Sequence, residues 1–183
     1  MTKSESSATD TSPSNSRRVL GEGRFIRLVA DDTWEYAERC RGTGVVGVVA
    51  VTDAGELVLT EQFRPSVKMP VIDIPAGLVG DERGTEREPS VEAARRELLE
   101  ETGWDAGRLE FLARCPTSPG ITSETIDLFR AAELVRVADG GGDAHEDITV
   151  HLVPLKSIDD WLAECVARGA AIDVKLYAAL WFA

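Results

Sequence analysis

The sequence predicts an α+β protein, with N-terminal antiparallel strands leading into a mixed sheet layered between helices. Three observations carry this. Short β-branched or alternating runs outnumber the helical stretches. The two kinds are interspersed along the chain, and no internal repeat is present.

The elements follow in order. Residues 1–17 are polar and lack an apolar centre, so a disordered tail is expected there, with residues 18–183 as the folded domain. "GRFIRLVA" (23–30) and "TWEYAER" (33–39) read as two strands joined by a turn at Asp31 and Asp32. "TGVVGVVAVT" (43–52) is β-branched, and the turn "DAG" leads into "ELVLTEQF" (56–63), which predicts a hairpin. "VIDIPAG" (71–77) is a further strand, followed by a polar loop with Gly and Pro breakers. Pro89 suits the first turn of a helix and Gly103 the position just past its end. Strands are expected over 108–114, 125–134 and 148–155. A helix capped by Ser157 runs to Gly169, and residues 172–182 form a last amphipathic helix, with Trp161, Leu176, Tyr177 and Trp181 read as core.

The whole chain sets limits on function. Its formal charge is −12, and the basic residues form no patch beyond the pairs Arg17-Arg18 and Arg95-Arg96. That disfavours a nucleic-acid partner. No apolar run approaches the ~18 residues that cross a bilayer. The three cysteines, Cys40, Cys115 and Cys165, are far apart and form no CxxC pair. Reduced thiols and a cytoplasmic location are expected.

The segment "ARRELLEETGW" (94–104) carries the chemistry. Glu97 and Glu101 are four apart and Glu100 is three from Glu97, so a helix places all three on one side. Val91, Ala94 and Leu98 fall on an adjoining, core-facing side. A solvated acidic face is one reading. The other is a metal site: the helix C-terminus disfavours negative charge, and three hard oxygen donors on one rigid face suit Mg²⁺ or Mn²⁺.

"REPSVEAARRELLEETGW" resembles the Nudix box, G-x5-E-x7-R-E-U-x-E-E-x-G-U, where U is bulky and apolar. Glu88, Arg96, Glu97, Leu98, Glu100, Glu101, Gly103 and Trp104 match at the motif's spacing. The leading Gly is best assigned to Gly77. Ten residues separate it from Glu88 where the motif has five, which implies a five-residue insertion in the intervening loop.

The resemblance implies a Nudix α/β/α sandwich and hydrolysis of a nucleoside diphosphate linked to another group. It implies Glu97, Glu100 and Glu101 as ligands of two or three divalent ions, Mg²⁺ or Mn²⁺, joined by the backbone carbonyl of Ala76. Arg96 and Glu88 would brace the glutamates, and Gly77 and Gly103 would shape the motif.

"TWEYAER", "EQFRPSV", "DIPAGLV" and "TSPGITSE" resemble the ADP-ribose and nucleoside-diphosphate-sugar pyrophosphatase branch. There, Trp34 would stack on the base, Arg64 would grip phosphate, and Glu124 would touch the sugar or a partner subunit. Each has a plainer reading: a half-exposed strand aromatic, an ion-paired arginine, a surface acid. Glu146 would be the general base, with His145 and Glu100 as alternatives. The strands over 23–39 would help form a homodimer. Dinucleoside polyphosphates or modified nucleotides are alternative substrates, and a Nudix-fold ligand sensor without turnover is the alternative class.

Overall fold

The computed structural model describes residues 17–80, 88–142 and 147–183. Apart from Arg17, the expected tail lies outside them. Arg17 pairs with Glu38, which also takes an ion pair from Arg27 at 2.9 Å.

β1 (Arg18–Glu22), β2 (Ile26–Asp31) and β3 (Trp34–Arg39) form an antiparallel three-stranded sheet in that order. β1 precedes the first strand expected from the sequence. Asp31 pairs with Trp34 across a two-residue turn in which Asp32 has φ 51°, a left-handed conformation that Asp tolerates.

Two four-stranded sheets make the body. One has the order β7 (Ala76–Val79), β4 (Gly44–Ala50), β9 (Thr125–Arg136), β8 (Trp104–Pro116). The other has the order β10 (Ile148–Pro154), β5 (Glu56–Arg64), β6 (Met69–Asp73), β11 (Ala171–Ile172). β4 runs parallel to β9, β11 runs parallel to β6, and the other pairings are antiparallel.

The expected hairpin of β4 and β5 does not form. Only an isolated bridge, Val51 to Leu57, joins them, and beyond the turn the strands enter different sheets. The cause is burial on both faces. Val46, Val48 and Val58 enter one core while Val49, Leu57 and Leu59 enter the other. Such strands need covering layers on both sides, which a hairpin alone does not supply.

Helix α1 (Ser90–Thr102) covers one face of the sheets, and α2 (Ile158–Ala167) and α3 (Val174–Phe182) cover the other. α1 is built from good helix formers and buries Ala93, Ala94 and Leu98 completely. Truncating Leu98 to Ala would cost about 3 kcal/mol. Pro89 occupies the N-cap rather than the first turn, with an extended ψ of 143°, and Gly103 ends the helix at φ 75°.

Two sequence expectations about the last helices need correction. Ser157 stands before α2 but makes no capping bond, because its hydroxyl donates to the Pro154 carbonyl at 3.2 Å. In α3, Leu176 is fully buried and Trp161 of α2 packs against the same core, but Tyr177 is 56% exposed and Trp181 85% exposed. The buried stripe of α3 runs through Leu176 and Ala179, which turns Tyr177 and Trp181 outward.

Candidate active site

A cleft of about 720 Å³ opens beside the C-terminal half of α1. Its floor comes from Glu97, Glu100 and Glu101 on the helix and from Ala76 and Gly77 at the start of β7. Arg39, Arg64 and Glu124, and also Asp73, Asp173 and Lys175, complete the lining.

The carboxylates are held individually. Glu101 is buried, and one of its oxygens accepts the Ala76 N–H at 2.9 Å. Gly77 lies so near Glu97 that a Cβ there would fall 2.0 Å from the carboxylate carbon. Any larger residue there would push the Glu97 carboxylate from this position. Arg96 binds the rest: its guanidinium donates to Glu88 at 3.3 and 3.2 Å, to Glu97 at 3.0 Å, to Glu100 at 3.2 Å and to the Leu78 carbonyl at 2.9 Å. Burial works against the guanidinium charge, but the hydrogen bond it donates to Glu88 and the charges of Glu97 and Glu88 outweigh it, and its pKa is raised.

As they stand, no three His, Cys, Asp or Glu side chains among the described residues are gathered around one point that could hold an ion. Glu97 and Glu100 lean on Arg96, while Glu101 leans on Ala76. The donor chemistry nevertheless fits a hard divalent cation. Three carboxylates, all hard oxygen donors, share one helical face beside the cleft.

A second charged cluster in the lining is partly compensated from within. Lys175 reaches Asp73 and Asp173, each at 2.8 Å. Asp173 also caps α3, accepting the Lys175 N–H at 2.9 Å. Burial pushes the Asp73 carboxyl up to about 6 against the opposing pull of Lys175. Lys175 is itself raised, burial being outweighed by Asp73 and Asp173.

Sequence reasoning missed this triad and also Arg39. Arg39 faces the cleft from β3 and forms an ion pair with Glu124, tying the N-terminal sheet to the loop between β8 and β9. An acid closing the apolar run "VID" was the available signal for Asp73; nothing local marked Lys175.

The remaining candidates separate. Glu88 stays behind Arg96, away from the cleft, and Gly103 shapes the helix end. Trp34 is 61% exposed and lines a different cavity, of about 370 Å³, with Tyr36 and Pro119. His145 and Glu146 lie outside the described residues.

Residues 42–170 match the NUDIX domain family model, and the chain belongs to that family. A methanol dehydrogenase activator of Bacillus methanolicus is 35% identical over 139 residues, covering 73% of this chain and 72% of that protein. An ADP-ribose pyrophosphatase of Bacillus subtilis is 42% identical over 124 residues, covering 64% of each. A crystal structure of an ADP compounds hydrolase superposes with a TM-score of 0.61 at 22% identity, covering 80% of this chain and 83% of that one, and supports the fold.

Proposed function

We propose that this Nudix hydrolase cleaves the pyrophosphate bond of ADP-ribose or a related nucleoside-diphosphate sugar, releasing a nucleoside monophosphate and a sugar phosphate. One observation carries the reading: a single cleft is lined by the braced carboxylates of α1 and by Arg39 and Arg64. Carboxylates alone would repel a diphosphate. Carboxylates able to take up divalent cations, with guanidinium groups in the same lining, would bind it. The ADP-ribose pyrophosphatase relative supports the same choice.

Glu97, Glu100, Glu101 and the Ala76 carbonyl would hold Mg²⁺ or Mn²⁺, two or three ions in all. Bound there, the ions would neutralise phosphate charge and acidify water. The chain's own residues do the rest. Arg64 and Arg39 orient the diphosphate through forked donors. Arg96 holds Glu97 and Glu100 at one edge of the helix through its ion pairs. Glu146 takes the proton from the attacking water, with His145 and Glu100 as the alternatives.

Trp34 cannot serve the cleft of its own chain from its observed position, since it lines a separate cavity. The homodimer resolves this. Phe25, Ile26 and Leu28 of the N-terminal sheet are exposed, and their burial against a second copy would bring Trp34 to the neighbouring cleft as a stacking platform. Glu124 would then fix the sugar side through its pair with Arg39.

Chromatography of products from ADP-ribose, GDP-mannose, ADP-glucose and a dinucleoside polyphosphate, with and without Mg²⁺, tests the reading. Metal-dependent AMP and ribose phosphate are expected from ADP-ribose. Cleavage of the polyphosphate alone would overturn the substrate class, and binding without cleavage would overturn the enzyme reading.

A further inference from the structure

The end of α1 that carries Glu100 and Glu101 is wrapped by backbone from a distant part of the chain. Gly103 N–H closes the helix on Leu99 O at 2.8 Å. The carbonyls of the next two residues, which no helix can satisfy at its own end, accept from outside. Glu101 O takes the Gly141 N–H at 2.8 Å, and Glu100 O takes the Gly142 N–H at 3.0 Å. Gly103 O accepts from Val137 at 2.8 Å and Ala138 at 3.1 Å. Residues 137–142, after β9, therefore form a collar around the helix terminus.

The collar requires its glycines. Gly140, Gly141 and Gly142 have φ of 77°, 113° and 80°, a run of positive values that L side chains resist. Space forbids them too: a Cβ on Gly140 would lie 2.4 Å from the Thr102 carbonyl carbon and 2.7 Å from its Cα. On the helix side, a Cβ on Gly103 would lie 2.1 Å from Ala138 O. Two backbones meet here with no side chain between them.

We propose that Gly140, Gly141 and Gly142 are positioning residues for the divalent-cation site, acting through the backbone of Glu100 and Glu101. This rests on the reading of the α1 carboxylates as metal ligands. The two carbonyls held by the collar belong to residues whose side chains are the candidate ligands. Their carboxylates are restrained from the other side as well, Glu101 by Ala76 N–H and Glu100 by Arg96. The collar sets where the last helical turn points, and so where the carboxylates meet. It also offsets the partial negative charge of the helix terminus, which three adjacent glutamates aggravate. Cation binding and collar docking then favour each other reciprocally.

The test is Mn²⁺ affinity, read by electron paramagnetic resonance, with amide exchange at Gly141 and Gly142 read by NMR with and without Mg²⁺. In the native protein, Mg²⁺ should slow exchange at both amides about tenfold, and Gly140→Ala should weaken Mn²⁺ binding by about the same factor.

Gly55→Ala is the control. Gly55 has φ 73° and open space around a Cβ, in the turn between β4 and β5, so the substitution adds backbone strain away from the carboxylates. It should leave Mn²⁺ affinity unchanged. If Gly140→Ala does not fold, Gly141→Ala replaces it; there the nearest atom to a Cβ is Ile148 O at 3.9 Å, and a smaller loss in the same direction is expected. Native Mn²⁺ affinity in the collar variants, with exchange indifferent to Mg²⁺, would overturn the proposal while leaving the ligands in place. Failure of the native protein to bind Mn²⁺ would overturn the ligand reading and the proposal together.

Discussion

Two charge clusters line the cleft, and they are built in different ways. On α1, Glu97, Glu100 and Glu101 outnumber Arg96, and the excess negative charge borders the cleft. At the end of β6 and the start of α3, Asp73 and Asp173 share Lys175 in a compact, largely buried triad. The first cluster would gain from a bound divalent cation. The second already holds its cation in the chain. Excess charge open to a cleft points to a ligand; buried carboxylates sharing one internal ammonium point to architecture, here the fastening of α3 to β6.

Substitutions can break this contrast. The largest effect is expected for Glu101→Gln, which removes a charged donor while keeping the shape and the Ala76 contact. Turnover should fall by about 10²–10³-fold with little change in Tm, measured by product release and calorimetry. A large loss of Tm would instead make Glu101 architectural.

Arg96→Met should do both kinds of harm. It leaves Glu88 and Glu97 partly buried without their partner, at about 3 kcal/mol of stability, and lets the carboxylates spread, lowering activity as well. Denaturant unfolding together with initial rates separates the two losses.

Lys175→Met should chiefly affect stability, by about 2 kcal/mol, because Asp73 loses the ammonium that favours its charged form and takes up a proton instead. A variant as stable as the native protein would contradict the fastening role.

The pH dependence sharpens the same point. The Asp73 carboxyl is pushed up to about 6 in the folded chain, against 3.8 for an ordinary aspartate. Between those values the folded state binds more protons than the unfolded state, so this group's contribution to stability falls as pH rises from about 4 to about 6, then stays level. The partners that set it are Lys175 and Asp173. The difference in Tm between native protein and Asp73→Asn should change over that window and be flat from pH 7 to 9. A difference that is flat throughout would place the carboxyl in its ordinary range. The smallest effect is expected for Trp34→Ala: a rise in KM worth about 1–2 kcal/mol with kcat retained, if the ring stacks on the base.

The contrast also separates what was legible in the sequence. Glu97, Glu100 and Glu101 lie within one helical turn and a half, so local periodicity alone places them together. Arg96 and Glu88 join them at spacings one helix and its leading loop impose. Asp73 and Lys175 meet only because β11 docks parallel to β6 and brings the start of α3 beside the strand end, and no local pattern encodes that. The hairpin misreading has the same origin. "DAG" between two β-branched runs is sound turn chemistry, and the turn does form, with Gly55 N–H on Thr52 O at 2.8 Å. Pairing beyond it was decided by the two cores competing for Val48, Val58, Leu57 and Leu59. For Tyr177 and Trp181, periodicity revealed a helix but not how much of its surface the body would cover.

The most direct measurement is ³¹P NMR of ADP-ribose incubated with the native protein and Mg²⁺, beside Glu101→Gln. Replacement of the diphosphate resonances by those of two phosphate monoesters, AMP and ribose phosphate, in the native sample and far more slowly in the variant, is the predicted result. Diphosphate resonances that persist in the native sample, or that vanish equally fast in the variant, would contradict the assignment of the α1 carboxylates to pyrophosphate cleavage.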